Sequence, residues 1–113
     1  EGESATKASR TMIRQLEEDQ KRRSKRALTD AIDRALIDLL AIYRDVLMVQ
    51  VGGDGELINT DLADLVSQIA RDSTPRQTLA RVDHIETARK RLVSNGNPLL
   101  VLEDMAISLR PQA

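Results

Sequence analysis

His84 is the one histidine of this 113-residue chain, and Asp83 and Glu86 beside it make a metal or general-base site the first chemistry to test. A di-metal site on helices needs Glu-x-x-His twice, and a helical phosphohydrolase needs several histidines with an aspartate. Neither pattern occurs, so His84 reads as a surface or helix-packing residue. Asp30, Asp33, Asp38 and Asp45 recur at helical spacing on the polar side of one stretch, where carboxylates are usually solvated. Gly52-Gly-Asp-Gly55 lacks the Gly-Lys-Ser/Thr ending of a phosphate loop and does not join a strand to a helix. With no cysteine there is no thiolate nucleophile, disulfide or thiolate zinc site. No catalytic centre, cofactor, metal or small-molecule substrate is expected.

A second candidate chemistry is phosphate-backbone binding by Arg22, Arg23, Lys25 and Arg26. Glu17, Glu18 and Asp19 precede Lys21, Arg22 and Arg23 by four residues each, the favourable order for pairs along a helix. Residues 1–26 carry eight basic against five acidic side chains, a net +3. That footprint is too weak for direct sequence-specific nucleic-acid binding to be expected.

The elements that position these residues are helices. The chain is 41% hydrophobic and 31% charged with a net charge of -1, and one Tyr with no Phe or Trp leaves an aliphatic interior. Between Glu3 and Val51 there is no Gly or Pro, which predicts one long helix or a nearly continuous pair. At ~1.5 Å per residue such a rod exceeds the ~30 Å of a domain this size, so it must protrude, kink or break. Its character changes near Ser24 to Ala27. Before that point only a thin stripe, Ala5, Ala8, Met12 and Leu16, is apolar; after it Leu28, Ile32, Leu36, Leu39, Tyr43, Val46 and Gln50 share a face flanked by Ala35, Leu40 and Leu47.

Gly52-Gly-Asp-Gly55 stops this helix, and Asn59-Thr-Asp61 offers caps for one burying Leu62, Leu65, Val66 and Ile69. Thr74-Pro75 opens the next, with Leu79, Val82, Ile85, Leu92 and Val93 as its sparser apolar positions. Gly96 supplies a left-handed stop, Asn97 a cap and Pro98 a first residue for the last helix, which directs Leu99, Leu102, Met105, Ala106 and Leu109 inward to about Leu109. The predicted fold is all-α, a bundle of four to five helices with a long N-terminal helix or helix pair. Residues 1–26 form an N-terminal arm or linker helix, and residues 27–113 form the bundle. No apolar run approaches the ~20 residues of a bilayer span and no signal-peptide pattern is present, which predicts a cytoplasmic protein. A start without Met suggests a piece of a longer chain.

Ile37, Ala41, Arg44 and Met48, at i, i+4, i+7 and i+11, lie opposite the main stripe, and Leu100 and Ile107 form a smaller off-core pair. A helix apolar on two sides needs two partners. Either the bundle wraps around it or a neighbouring protein covers it in a subunit–subunit contact.

Four separated pieces carry a resemblance: Ala35-Leu-Ile-Asp-Leu-Leu-Ala-Ile-Tyr-Arg-Asp-Val-Leu47, Ile58-Asn-Thr-Asp61, Ile85-x-x-Ala88-Arg89-x-x-Leu92, and Asn95-x-Asn97-Pro98-x-Leu100-x-Leu102-Glu103. In that order they resemble the C-terminal domain of the delta-prime subunit of the bacterial DNA polymerase III clamp loader. The likeness covers roughly residues 20–110 and leaves the arm at residues 1–20 unmatched. It implies a non-catalytic collar block in a five-subunit ring that loads the sliding clamp during replication, part of a nucleotidyltransferase assembly, with other clamp-loader subunits as partners. It also implies scaffold roles, as caps and as polar groups fixing helix ends and crossings, for Tyr43, Asn59, Arg89, Asn95, Asn97 and Glu103. The alternative is a helical dimerisation or interaction domain of an unrelated cytoplasmic regulator, with residues 5–16 as its seam; that stripe is shorter than the three or four heptads a coiled coil needs.

Overall fold

The computed structural model describes residues 2–53, 55–94 and 97–110. Helix α1 spans Gly2–Gln50, α2 Ala63–Asp72, α3 Pro75–Val93 and α4 Pro98–Ser108, with a 3₁₀ turn at Thr60–Leu62 before α2. Among the described residues there is no strand, and the protein is all-α. The chain forms two compact units, Glu1–Ala31 and Ile32–Ala113.

The helix α1 does not break at Ser24 to Ala27; with neither Gly nor Pro in its interior, no residue there interrupts the i→i−4 ladder. It ends where expected. Gly52 takes a left-handed φ of 69°, Gly52 N–H donates to Val49 O at 3.2 Å and Gly53 N–H to Met48 O at 3.1 Å, so two end carbonyls are satisfied by a Schellman arrangement. In the first unit the expected i,i+4 pairs do not form. Asp19 instead pairs with Arg22 one turn on, and Arg23 donates to Gln20 Oε1 at 3.3 Å. The exposed side chains there are free to choose the shorter reach.

In the second unit the core joins Ile32 and Leu36 of α1 to Ile85, Ala88 and Leu92 of α3 and Val101 and Met105 of α4. Leu39, Leu40, Tyr43, Leu102 and Leu109 pack against it. Leu28, expected on this face, is exposed, as is Ala35. On α4 the inward positions are Pro98, Val101 and Met105, whereas Leu99 and Ala106, expected inside, are exposed. Nearly every side of α4 is apolar, so periodicity could not choose its face; packing against α3 did. Leu79 and Val93 of α3 and Leu65 of α2 are likewise exposed, while Thr78 and Ala88, not expected inside, are buried.

The corners differ in how well local chemistry anticipates them. Thr74 and Gln77 form a reciprocal capping box, Gln77 N–H donating to Thr74 Oγ1 at 3.2 Å and Thr74 N–H to Gln77 Oε1 at 2.9 Å. Asn97 Oδ1 accepts from the N–H groups of Leu99 and Leu100 at 3.1 and 3.3 Å, with Pro98 at the first helical position. Asn59-Thr-Asp61 does not cap α2: Leu62 precedes that helix and no side chain closes its end. The expected stop at Gly96 lies outside the described residues.

Candidate functional site

Three neighbourhoods of the second unit hold the residues singled out above. The first is a shallow groove of about 370 Å³ between α1 and α3. Ile37, Ala41 and Arg44 line its α1 wall with Leu40 and Leu47, and Leu79, Val82, Glu86 and Arg89 line its α3 wall. Ile37 and Leu79 remain 45% and 51% exposed, so the bundle does not wrap over this side. Met48 lies elsewhere. It is half-buried, its thioether lies against the glycine loop, and a Cβ added at Gly53 would collide with Met48 Sδ. Leu100 and Ile107 stand exposed on α4 at 58% and 60%.

At the edge of that groove Arg89 Nε donates to Asp33 Oδ1 at 2.8 Å, a partly solvated ion pair joining α3 to α1. The hydrogen bond to Asp33 holds the guanidinium more firmly protonated, outweighing its desolvation. Arg89 thus ties α3 to α1 through Asp33.

The second neighbourhood overturns a sequence expectation. Asp45, read as solvated, is only 2% exposed. Its Oδ1 accepts from Ile58 N–H at 2.8 Å, and its Oδ2 from Asn59 N–H at 2.8 Å and from Asn59 Nδ2 at 3.1 Å. Burial alone would raise its pKa, but the Ile58 and Asn59 backbone donors, the Asn59 amide and the nearby Arg44 charge together bring it below the ordinary 3.8. Asn59 therefore anchors a loop to α1 rather than capping α2. Asp45 falls on the buried side because the loop after Gly55 returns across α1, which no helical spacing can announce.

One turn further along α1, Gln50 does similar work. Its Oε1 accepts from Thr78 Oγ1 at 2.7 Å, and its Nε2 donates to Ser73 O at 3.0 Å and to Ala70 O at 3.3 Å. This ties the end of α1 to the α2–α3 corner and explains a polar residue on an otherwise apolar stripe. Val46 and Val66 are fully buried in this end of the bundle.

The third neighbourhood surrounds Tyr43. Its ring is half-buried against the core, with the Arg81 guanidinium carbon 5.9 Å from the ring centroid. His84, three residues on, is exposed, and among the described residues no group of three or more potential ligands could hold a metal ion. Glu103 is exposed on α4 and Asn95 lies outside the described residues. No helix among the described residues is long and apolar enough to cross a membrane.

These features are the side-chain locks and exposed aliphatic walls of an all-α bundle domain. A family model described as "DNA polymerase III, delta subunit, C terminal" matches residues 6–110, reaching well into the arm that the motif resemblance left unmatched. The chain is also similar to the DNA polymerase III subunit delta' of Bacillus subtilis (strain 168), with 38% identity over 72 residues. That match covers 64% of this chain and 22% of the relative, so the chain corresponds to a small part of that protein's length. No solved structure matches. The chain belongs to the family of C-terminal domains of the DNA polymerase III delta subunits.

Proposed function

We propose that this domain is a non-catalytic assembly module, a collar block through which a delta-prime subunit joins the five-membered clamp-loader ring in the cytoplasm. The observation that carries the reading is the family match over residues 6–110, nearly the whole chain. The exposed α1–α3 groove supports it, because an aliphatic wall left open in a small bundle is where a neighbouring helix gains burial. In this reading residues 27–113 are the collar proper and residues 1–26 the helix leading into it. Ile37, Ala41 and Arg44 meet one neighbour, Met48 holds the glycine loop at the end of α1, and Leu100 and Ile107 face another contact.

Mixing the chain with the other collar-forming subunits and weighing the products by native mass spectrometry tests the assignment. A stoichiometric complex is the expected result, and Ile37→Asp should abolish it while leaving thermal unfolding of the free domain unchanged. Self-association without any mixed complex would overturn the assignment in favour of a dimerisation domain. Complex formation that survives Ile37→Asp would remove the groove from the interface.

A further inference from the structure

A second groove, of about 280 Å³, runs between the N-terminal half of α3 and the end of α4, away from the α1–α3 wall. Its lining is Gln77, Ala80, Arg81, His84, Ser108 and Arg110, with no carboxylate among them. On α3 these residues recur at i, i+3, i+4 and i+7, which places them on one face. In a chain of net charge -1 a groove with two guanidinium groups and an imidazole but no acid is a local excess of positive charge.

Neither Arg81 nor Arg110 is paired with an acid: among the described residues the ion pairs are Asp19–Arg22, Asp33–Arg89 and Asp104–Arg91. Arg81 is half-buried and ordered over the Tyr43 ring, so part of the entropy of fixing its side chain is already spent in the free protein. The backbone of Arg110 is held by its N–H donating to Ile107 O at 3.2 Å. Gln77 gives its Oε1 to the capping box, which leaves its Nε2 as a further donor.

We propose that this groove binds a phosphomonoester or inorganic phosphate dianion. Two guanidinium charges match its two negative ones, their planar forks suit its oxygens, and His84 and Gln77 add N–H donors. A single carboxylate would need only one of the two forks.

The test is a titration of inorganic phosphate into the 113-residue chain at pH 7.5, with ionic strength held constant by sodium chloride and the His84 ring signals followed by NMR. A saturable shift is expected, with the dissociation constant raised about tenfold by Arg81→Gln and by Arg110→Gln. Arg110 follows the last turn of α4 and is exposed, so its replacement keeps the result readable if loss of the Tyr43 contact disturbs folding of the Arg81 variant. A shift that never saturates, or one indifferent to Arg110→Gln in a folded domain, overturns the proposal. A parallel titration with an oligonucleotide lacking terminal phosphates separates the sources: binding at His84 tighter than that of phosphate would assign the groove to phosphodiesters and overturn the dianion reading.

Discussion

The two ends of α1 share one helix and little else. All four of its buried residues, Ile32, Leu36, Asp45 and Val46, lie in its C-terminal 19 residues, whereas residues 2–31 contain none. In the first stretch the helix rests on local terms, its residue propensities and one exposed Asp19–Arg22 pair, while the hydroxyls of Thr6 and Thr29 only return to the carbonyls of Gly2 and Lys25 four residues back. Such terms contribute tenths of a kcal/mol each. In the second stretch the same backbone is held by close-packed aliphatics and by two polar locks that reach 13 to 28 residues along the sequence. The difference separates what makes a helix from what makes a fold: propensity extends α1, while burial decides where its neighbours lie.

Mutations in each stretch should separate accordingly. The largest effect is expected for Ile85→Ala, at a fully buried site facing α1 in the core. A cavity there should cost about 4 kcal/mol in urea unfolding. Asp45→Ala should follow at about 3 kcal/mol, because it removes the one acceptor of three part-buried hydrogen bonds from Ile58 and Asn59.

Asp45 also has a pH signature. Its folded pKa lies below the ordinary 3.8. Its stabilisation is therefore complete above the unfolded value and is lost as pH falls through the folded one. Acid titration of thermal stability should show the wild-type chain losing more below pH 3.8 than Asp45→Ala loses over the same range. Parallel acid limbs would mean that the carboxylate is not charged and bonded as described.

Asn97→Ala, which removes the acceptor for Leu99 and Leu100, should cost about 1 kcal/mol and lower the melting temperature modestly. Leu16→Ser, in the stretch without burial, should change unfolding by less than about 0.5 kcal/mol. A loss at Leu16 as large as that at Ile85 would break the comparison. Hydrogen exchange would sharpen it: amides of residues 5–25 should exchange through fraying, and those of residues 36–47 only through opening of the bundle.

Much of this was legible before any coordinates. The absence of Gly and Pro between Glu3 and Val51, the stop at Gly52-Gly-Asp-Gly55, the Thr74–Pro75 start and the Asn97–Pro98 start are short-range effects, readable because the residues involved are near neighbours in sequence. The family was readable from ordered local strings, residues 35–47, 58–61, 85–92 and 95–103, of which the last includes the Asn97–Pro98 corner. The groove residues Ile37, Ala41 and Arg44 were also visible as a second face, although Met48, given to the same face, is covered by the glycine loop instead.

The sequence alone determined that this chain is helical, where its helices stop, and that it holds no familiar catalytic spacing, because each of these depends on residue types a few positions apart. Only the tertiary structure decided that Asp45 is buried, that Asn59 bonds to it rather than capping α2, and that Val101 rather than Leu99 turns inward. Those outcomes depend on which distant segment arrives beside each residue. A carboxylate or an aliphatic side chain at helical spacing looks the same until a neighbour removes it from water.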